Sequence, residues 1–162
     1  MVTEIRIEDT FWTAATEERR REWTLLVAEV VDHWPADAVE PIPSRLRVTP
    51  SAAGGTELAL EDPSGAVAAR ATLPTEALAP HFRAYLDVCH QMQMLDEGSH
   101  SARLEALDMG KRVMHDRAAA TILHHASAIV RDHDTARRLF TLLTSLEFDT
   151  TRLHGGHRVD RR

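Results

Sequence analysis

RLRVTPSAAGGTELALEDPSGAVAARATL, residues 45–73, decides the fold. Arg45 to Thr49 and Thr56 to Leu60 both alternate polar and apolar side chains, as strands with one buried face do. Gly54-Gly55 between them supplies the positive φ that a tight hairpin connection needs. Asp62-Pro63-Ser64-Gly65 then sets Asp, Pro and Gly at the first, second and fourth positions of a type I turn, and residues 66–73 supply a third strand. The expectation is a small antiparallel meander.

Upstream, Glu4 to Glu8 alternates over too few residues for more than a short strand. From residue 14 to 34 the rhythm becomes helical: Trp23, Leu26, Val27, Val30, Val31 and Trp34 recur at three- and four-residue steps, and Pro35 ends the run. Downstream of Pro74, four helices are expected. Thr75 caps one that turns Leu78, Phe82, Tyr85, Leu86 and Cys89 inward, and Ser99 or Ser101 caps a second that reaches His115. Residues 118–131 form a third, and Asp132 or Asp134 caps a fourth with Leu139, Phe140, Leu142, Leu143 and Leu146 on a broad apolar face. The fold class is α+β: a meander packed against an N-terminal helix and about four C-terminal helices, in one domain over residues 1–149, with a frayed tail over 150–162.

Composition narrows the function. A 162-residue chain buries enough surface to fold without disulfides or a structural metal. Its net charge of −6 opposes a nucleic-acid backbone, and the basic run Arg19 to Arg21 directly follows Glu17 and Glu18. Cys89 is the single cysteine, which fits a reducing compartment and excludes an internal disulfide or a CxxC pair. No apolar run approaches a membrane span and the first residues are acidic, so a cytoplasmic location without membrane contact is expected. Phosphate-binding loops, dinucleotide fingerprints, GxSxG, HExxH and EF-hand spacings do not occur.

Three constellations remain. Glu105, Asp108, Arg112 and His115 follow one another at steps of three, four and three, so they share an arc of roughly 80° on one helix. Read as chemistry, His115 is a general base, Glu105 and Asp108 orient it, and Arg112 holds an anionic substrate. Read as structure, the stripe is a solvated face with an Asp108–Arg112 ion pair. Gly110, among the apolar positions, suggests close approach of another helix. Asp134, Arg137 and Arg138 open the last helix: they cap and pair, or one arginine reaches over to substrate or to the carboxylates of the first cluster. Ten histidines raise the question of a divalent metal, for which no motif speaks. His90 with His115 is the pair to test, while adjacent His124 and His125 point about 100° apart and cannot share an ion.

The segments LEALDMGKRVMHDRA (residues 104–118) and DHDTARRLFTLL (residues 132–143) resemble signature stretches of a mainly alphaproteobacterial group, Uncharacterised Protein Family 0262. The order of elements fits it as well. Family members carry an acidic, tyrosine-rich stretch after the cysteine matching Cys89, where this chain has His90-Gln91-Met92-Gln93-Met94. The resemblance implies a compact cytosolic protein with its polar signature on the helix 101–116, and implies no particular reaction. Two functions are therefore carried forward. One is a small cytosolic enzyme acting on a polar or anionic metabolite through His115, Glu105, Asp108, Arg112, Arg137 and Arg138. The other is a non-catalytic, homodimeric interaction module that uses the polar helix face as a protein contact.

Overall fold

The sheet is assembled from both ends of the N-terminal half. β1 (Val2–Ile7) pairs in parallel with β2 (Ser44–Pro50), which continues into an antiparallel meander with β3 (Thr56–Glu61) and β4 (Val67–Leu73), in spatial order β1-β2-β3-β4. The computed structural model describes residues 1–35, 44–95 and 101–153. The expected meander is present. The sheet is mixed because β1 joins it by a crossover, which parallel neighbours require. Both turns form as their chemistry dictates. Gly54 and Gly55 have φ of +91° and +93°, and Asp62 Oδ1 accepts hydrogen bonds from the backbone N–H groups of Ser64 and Ala66 at 2.8 and 2.9 Å.

Register places Ile5, Leu46 and Leu60 in one row and Ile7, Val48 and Leu58 in the next, all on the face that the helices cover. The opposite face is charged. Glu4 bridges Arg6 and Arg45 at 2.8 Å each, Arg47 meets Glu61 at 2.7 Å, and Arg70 meets Glu57 at 2.6 Å across neighbouring strands. Ala59, in the middle of that face, is buried among these long side chains.

Five helices follow among the described residues: α1 (Asp9–Ala14), α2 (Glu17–Asp32), α3 (Thr75–Gln93), α4 (Ser101–Ala126) and α5 (His133–Glu147). α2 starts three residues later than its periodicity suggests. Thr16 caps it by accepting from Arg19 N–H, and Ala15 is extended, which separates α2 from the short α1. Pro74, rather than Thr75, precedes α3. Asp132 caps α5 by accepting from Thr135 N–H at 2.8 Å. The two helices expected over residues 101–115 and 118–131 are largely one, α4, so three helices follow the sheet instead of four. Their apparent boundary is a change of surroundings: the N-terminal half of α4 stands largely exposed, while Ala118, Ala119, Ile122 and Ala126 are buried.

α5 is the hub. Nine of its residues are buried, Thr135 and Thr144 among them, and it packs on both α2 and α4. A helix apolar on most sides belongs inside. Its C-terminal carbonyls, unpartnered within the helix, are met by α2. Arg19 donates to the carbonyl oxygens of Ser145, Leu146 and Phe148 at 2.9, 3.1 and 3.3 Å, and Trp23 Nε1 donates to Ser145 O at 3.0 Å. Arg19 also lies over the Trp23 ring, which Trp12 meets edge-on at 5.4 Å. The expected frayed tail falls mostly outside the described residues, over 154–162. Its first residues are tied down, since Thr150 is buried and donates to Glu22 at 2.9 Å, and Gln93 donates to Arg152 O at 2.8 Å.

Candidate functional site

α2, α4 and α5 converge on a polar cleft of about 310 Å³ lined by Glu29, His115, Asp134, Arg137, Arg138 and Thr141. The i, i+4 relation of Arg137 to Thr141 sets both on the side of α5 that faces this opening. Glu29 comes from the exposed edge of α2, one turn short of its end.

His115 forms the apolar side. Its ring meets Tyr85 at 5.1 Å and Phe140 at 5.4 Å, at interplanar angles of 75° and 89°. Nε2 is buried and has no hydrogen-bond partner among the described residues. Burial, assisted by the positive charges of Lys111 and Arg137 and opposed by Asp116, pushes its pKa down to about 4. The imidazole is therefore neutral at pH 7.

The two guanidiniums are attracted to carboxylates without being saturated by them. Arg137 lies 3.5 Å from Asp116, and Arg138 lies 3.8 Å from Glu29 and 3.6 Å from Asp134, all longer than a good charged hydrogen bond of about 2.8 Å. Arg138 Nε is buried without a hydrogen-bond partner among the described residues, and its Nη1 donates to Asp134 O at 3.2 Å.

Of the residues singled out in the sequence, the fold unites His115, Asp134, Arg137 and Arg138 and separates them from Glu105, Asp108 and Arg112. Glu105 is exposed. At about 1.5 Å of rise per residue, it lies roughly 15 Å from His115 along α4, and Asp108 roughly 10 Å. Asp108 instead pairs with Arg112 at 2.9 Å on the surface. The carboxylate that acts on the imidazole is Asp116, next to it in sequence, and those that share the cleft are Glu29 and Asp134. Glu29 and Thr141 escape sequence reading because each looks like an ordinary polar flank of an amphipathic helix. A Cβ built at Gly110 meets nothing within 4 Å, so no helix of the described residues approaches it, contrary to the sequence-based expectation.

His90 is exposed on α3, next to buried Cys89. Among the described residues, no group of three or more His, Cys, Asp or Glu side chains is placed to hold a metal ion. Ser99, His154 and His157 lie outside the described residues. No helix of the described residues is long and apolar enough to cross a membrane.

This is a small α+β domain with a polar cleft built around a neutral histidine. The model of the Uncharacterised protein family (UPF0262) matches residues 1–149, and the chain belongs to that family. It is 40% identical over 63 residues to the UPF0262 protein of Rhodospirillum rubrum, covering 38% of this chain and 39% of the relative. It is 37% identical over 67 residues to that of Methylobacterium radiotolerans, covering 41% and 42%. For the relative from Phenylobacterium zucineum, the identity is 39% over 67 residues, again 41% and 42% of the two chains. The chain thus spans about two fifths of the length of the curated relatives it matches. No solved structure matches.

Proposed function

We propose that the protein is a small cytosolic enzyme acting on a polar, anionic metabolite bound in the α2–α4–α5 cleft. One observation carries the reading: an imidazole held neutral by burial lines the same cleft as two incompletely paired guanidiniums. Arg137 and Arg138 supply the charge that holds an anion, and the Thr141 hydroxyl, which donates to Arg137 O at 3.3 Å, can turn to donate to it instead. With Nε2 turned into the interior against aromatic rings, Nδ1 is the nitrogen left for the ligand. An anion seated against the ring favours the imidazolium and raises the pKa from about 4, so binding itself equips His115 to take a proton. Asp116 holds Arg137, Glu29 and Asp134 hold Arg138, and Asp116 favours that protonated state.

Nuclear magnetic resonance of histidine-labelled protein tests this. Titration with inorganic phosphate or acetate is expected to move the His115 signals and raise its pKa, and Arg137→Gln is expected to remove both effects. His115 signals that ignore every anion would sink the reading.

A second reading, a homodimeric interaction module, is favoured by a different observation. Ala102, Ala106, Met109 and Val113 follow at steps of four, three and four on the outward side of α4, with Met109 66% and Val113 46% exposed. That is the spacing of a coiled-coil seam. An antiparallel second copy would set Glu105 beside the partner's Arg112, twice over the two-fold axis. Native mass spectrometry showing a dimer that Met109→Glu dissociates would support it.

A further inference from the structure

A second cavity adjoins the cleft and differs from it in character. It measures about 190 Å³ and is lined by Glu22, Leu25, Leu26, Tyr85, Thr141, Thr144 and Thr150. Thr141 lines both spaces, and Tyr85, from the second, touches the ring of His115, from the first.

The walls change polarity in step. Glu29 of α2 lines the polar cleft, and Leu26 and Leu25, a turn earlier on the same side of that helix, line the second cavity. Arg137 and Arg138 of α5 line the polar cleft, and Thr144, two turns later, lines the second cavity with its hydroxyl turned back to Phe140 O at 2.8 Å. Leu25 is 72% exposed at this site. Nothing in the packing of α2 accounts for it, since Trp23 and Val30 hold the core side of that helix.

We propose that the natural ligand is an amphiphilic monoanion, with its charged head at Arg137, Arg138 and His115 and its hydrocarbon or aromatic body between Leu25, Leu26 and Tyr85. This rests on the reading of the cleft as an anion site. The volume is sufficient, because a cavity of about 150 Å³ holds benzene. The far end excludes a second anionic group: Glu22, hydrogen-bonded to Thr150 at 2.9 Å, places a carboxylate there.

Isothermal titration of the full chain with inorganic phosphate, acetate, butanoate, hexanoate, adipate and hexan-1-ol tests the assignment. The expected result is binding that tightens about three- to fourfold for each added methylene from acetate to hexanoate. Adipate, of equal length but charged at both ends, is expected to bind no better than butanoate, and hexan-1-ol more weakly than hexanoate. Leu25→Gln, a change at an exposed position that the fold tolerates, is expected to weaken hexanoate at least threefold and leave phosphate unchanged. Phosphate or acetate binding with a flat chain-length series, with adipate equal to hexanoate, or with hexan-1-ol equal to hexanoate, overturns the head-and-tail assignment and leaves the anion cleft standing. Absence of binding by every anion, phosphate included, removes the anion cleft and this inference with it.

Discussion

The imidazole of His115 stands edge-on to Phe140, ring centroids 5.4 Å apart and planes at 89°. A protonated ring would bring charge into that aromatic contact, and burial accordingly holds its pKa at about 4 instead of 6.5. The unfolded chain binds a proton near pH 6.5 that the folded chain refuses until about pH 4. Stability due to this group is thus complete above pH 6.5, declines as pH falls towards 4, and stays lost below that. After allowance for solvent screening, the loss is on the order of 2 kcal/mol. His81, lowered by burial and by Arg117, adds a contribution of the same sign. His115→Phe is expected to fill the same space and flatten the profile. Urea midpoints at pH 7 and pH 4.5 check it: equal pH dependence in both proteins would rule out the assignment.

Arg19 closes the end of the central helix. Arg19→Met removes the guanidinium from over the Trp23 ring together with the donors to Ser145, Leu146 and Phe148. The Leu146 and Phe148 carbonyls would then lose this donor, while Ser145 O keeps Trp23 Nε1, so a loss of about 2 kcal/mol is expected in denaturant unfolding. Trp23→Phe, which forfeits the indole's own bond to Ser145 O and some packing, should cost less than the cavity left by Trp23→Ala.

Glycines separate cleanly by location. A Cβ at Gly55 would sit 2.1 Å from Leu73 O with φ at +93°, so Gly55→Ala should cost more than about 2 kcal/mol or break the hairpin. Gly110→Ala, in open space within α4, should stabilise by about 0.5–1 kcal/mol. Thermal melts of the two variants should therefore move in opposite directions.

The Asp108–Arg112 pair is a surface contact, with side chains 47% and 71% exposed. Asp108→Ala is expected to change stability by less than about 0.5 kcal/mol and to leave anion binding at the cleft intact, whereas Arg138→Ala should abolish binding. A large effect of Asp108→Ala on ligand affinity would return that residue to the site.

The meander was legible because alternation and turn chemistry are local, as Gly54-Gly55 and Asp62 to Gly65 show. The α5 core was legible because Leu139, Phe140, Leu142, Leu143 and Leu146 leave a helix nowhere to go but inside. The unity of α4 was not, since its periodicity shifts where it passes from solvent into the core at Ala118. Short α1 was missed because no side chain caps it, and the parallel placement of β1 depends on a crossover rather than on its own residues. Four of the six residues lining the candidate site could be named, because His115, Arg137 and Arg138 carry distinctive chemistry and Asp134 stands with the arginines in the first turn of α5. Glu29 and Thr141 join them only through the meeting of three helices far apart in the chain.

Synthesis order gives the central position of α5 a further meaning. Arg19 and Trp23 leave the ribosome more than a hundred residues before the carbonyls they bind. Until α5 emerges, the apolar side of α2 lacks its main cover, and the nascent chain carries it incompletely buried while residues 33–132 are made. Pairing of α2 with α5 is therefore a late, long-range step in the folding of this domain.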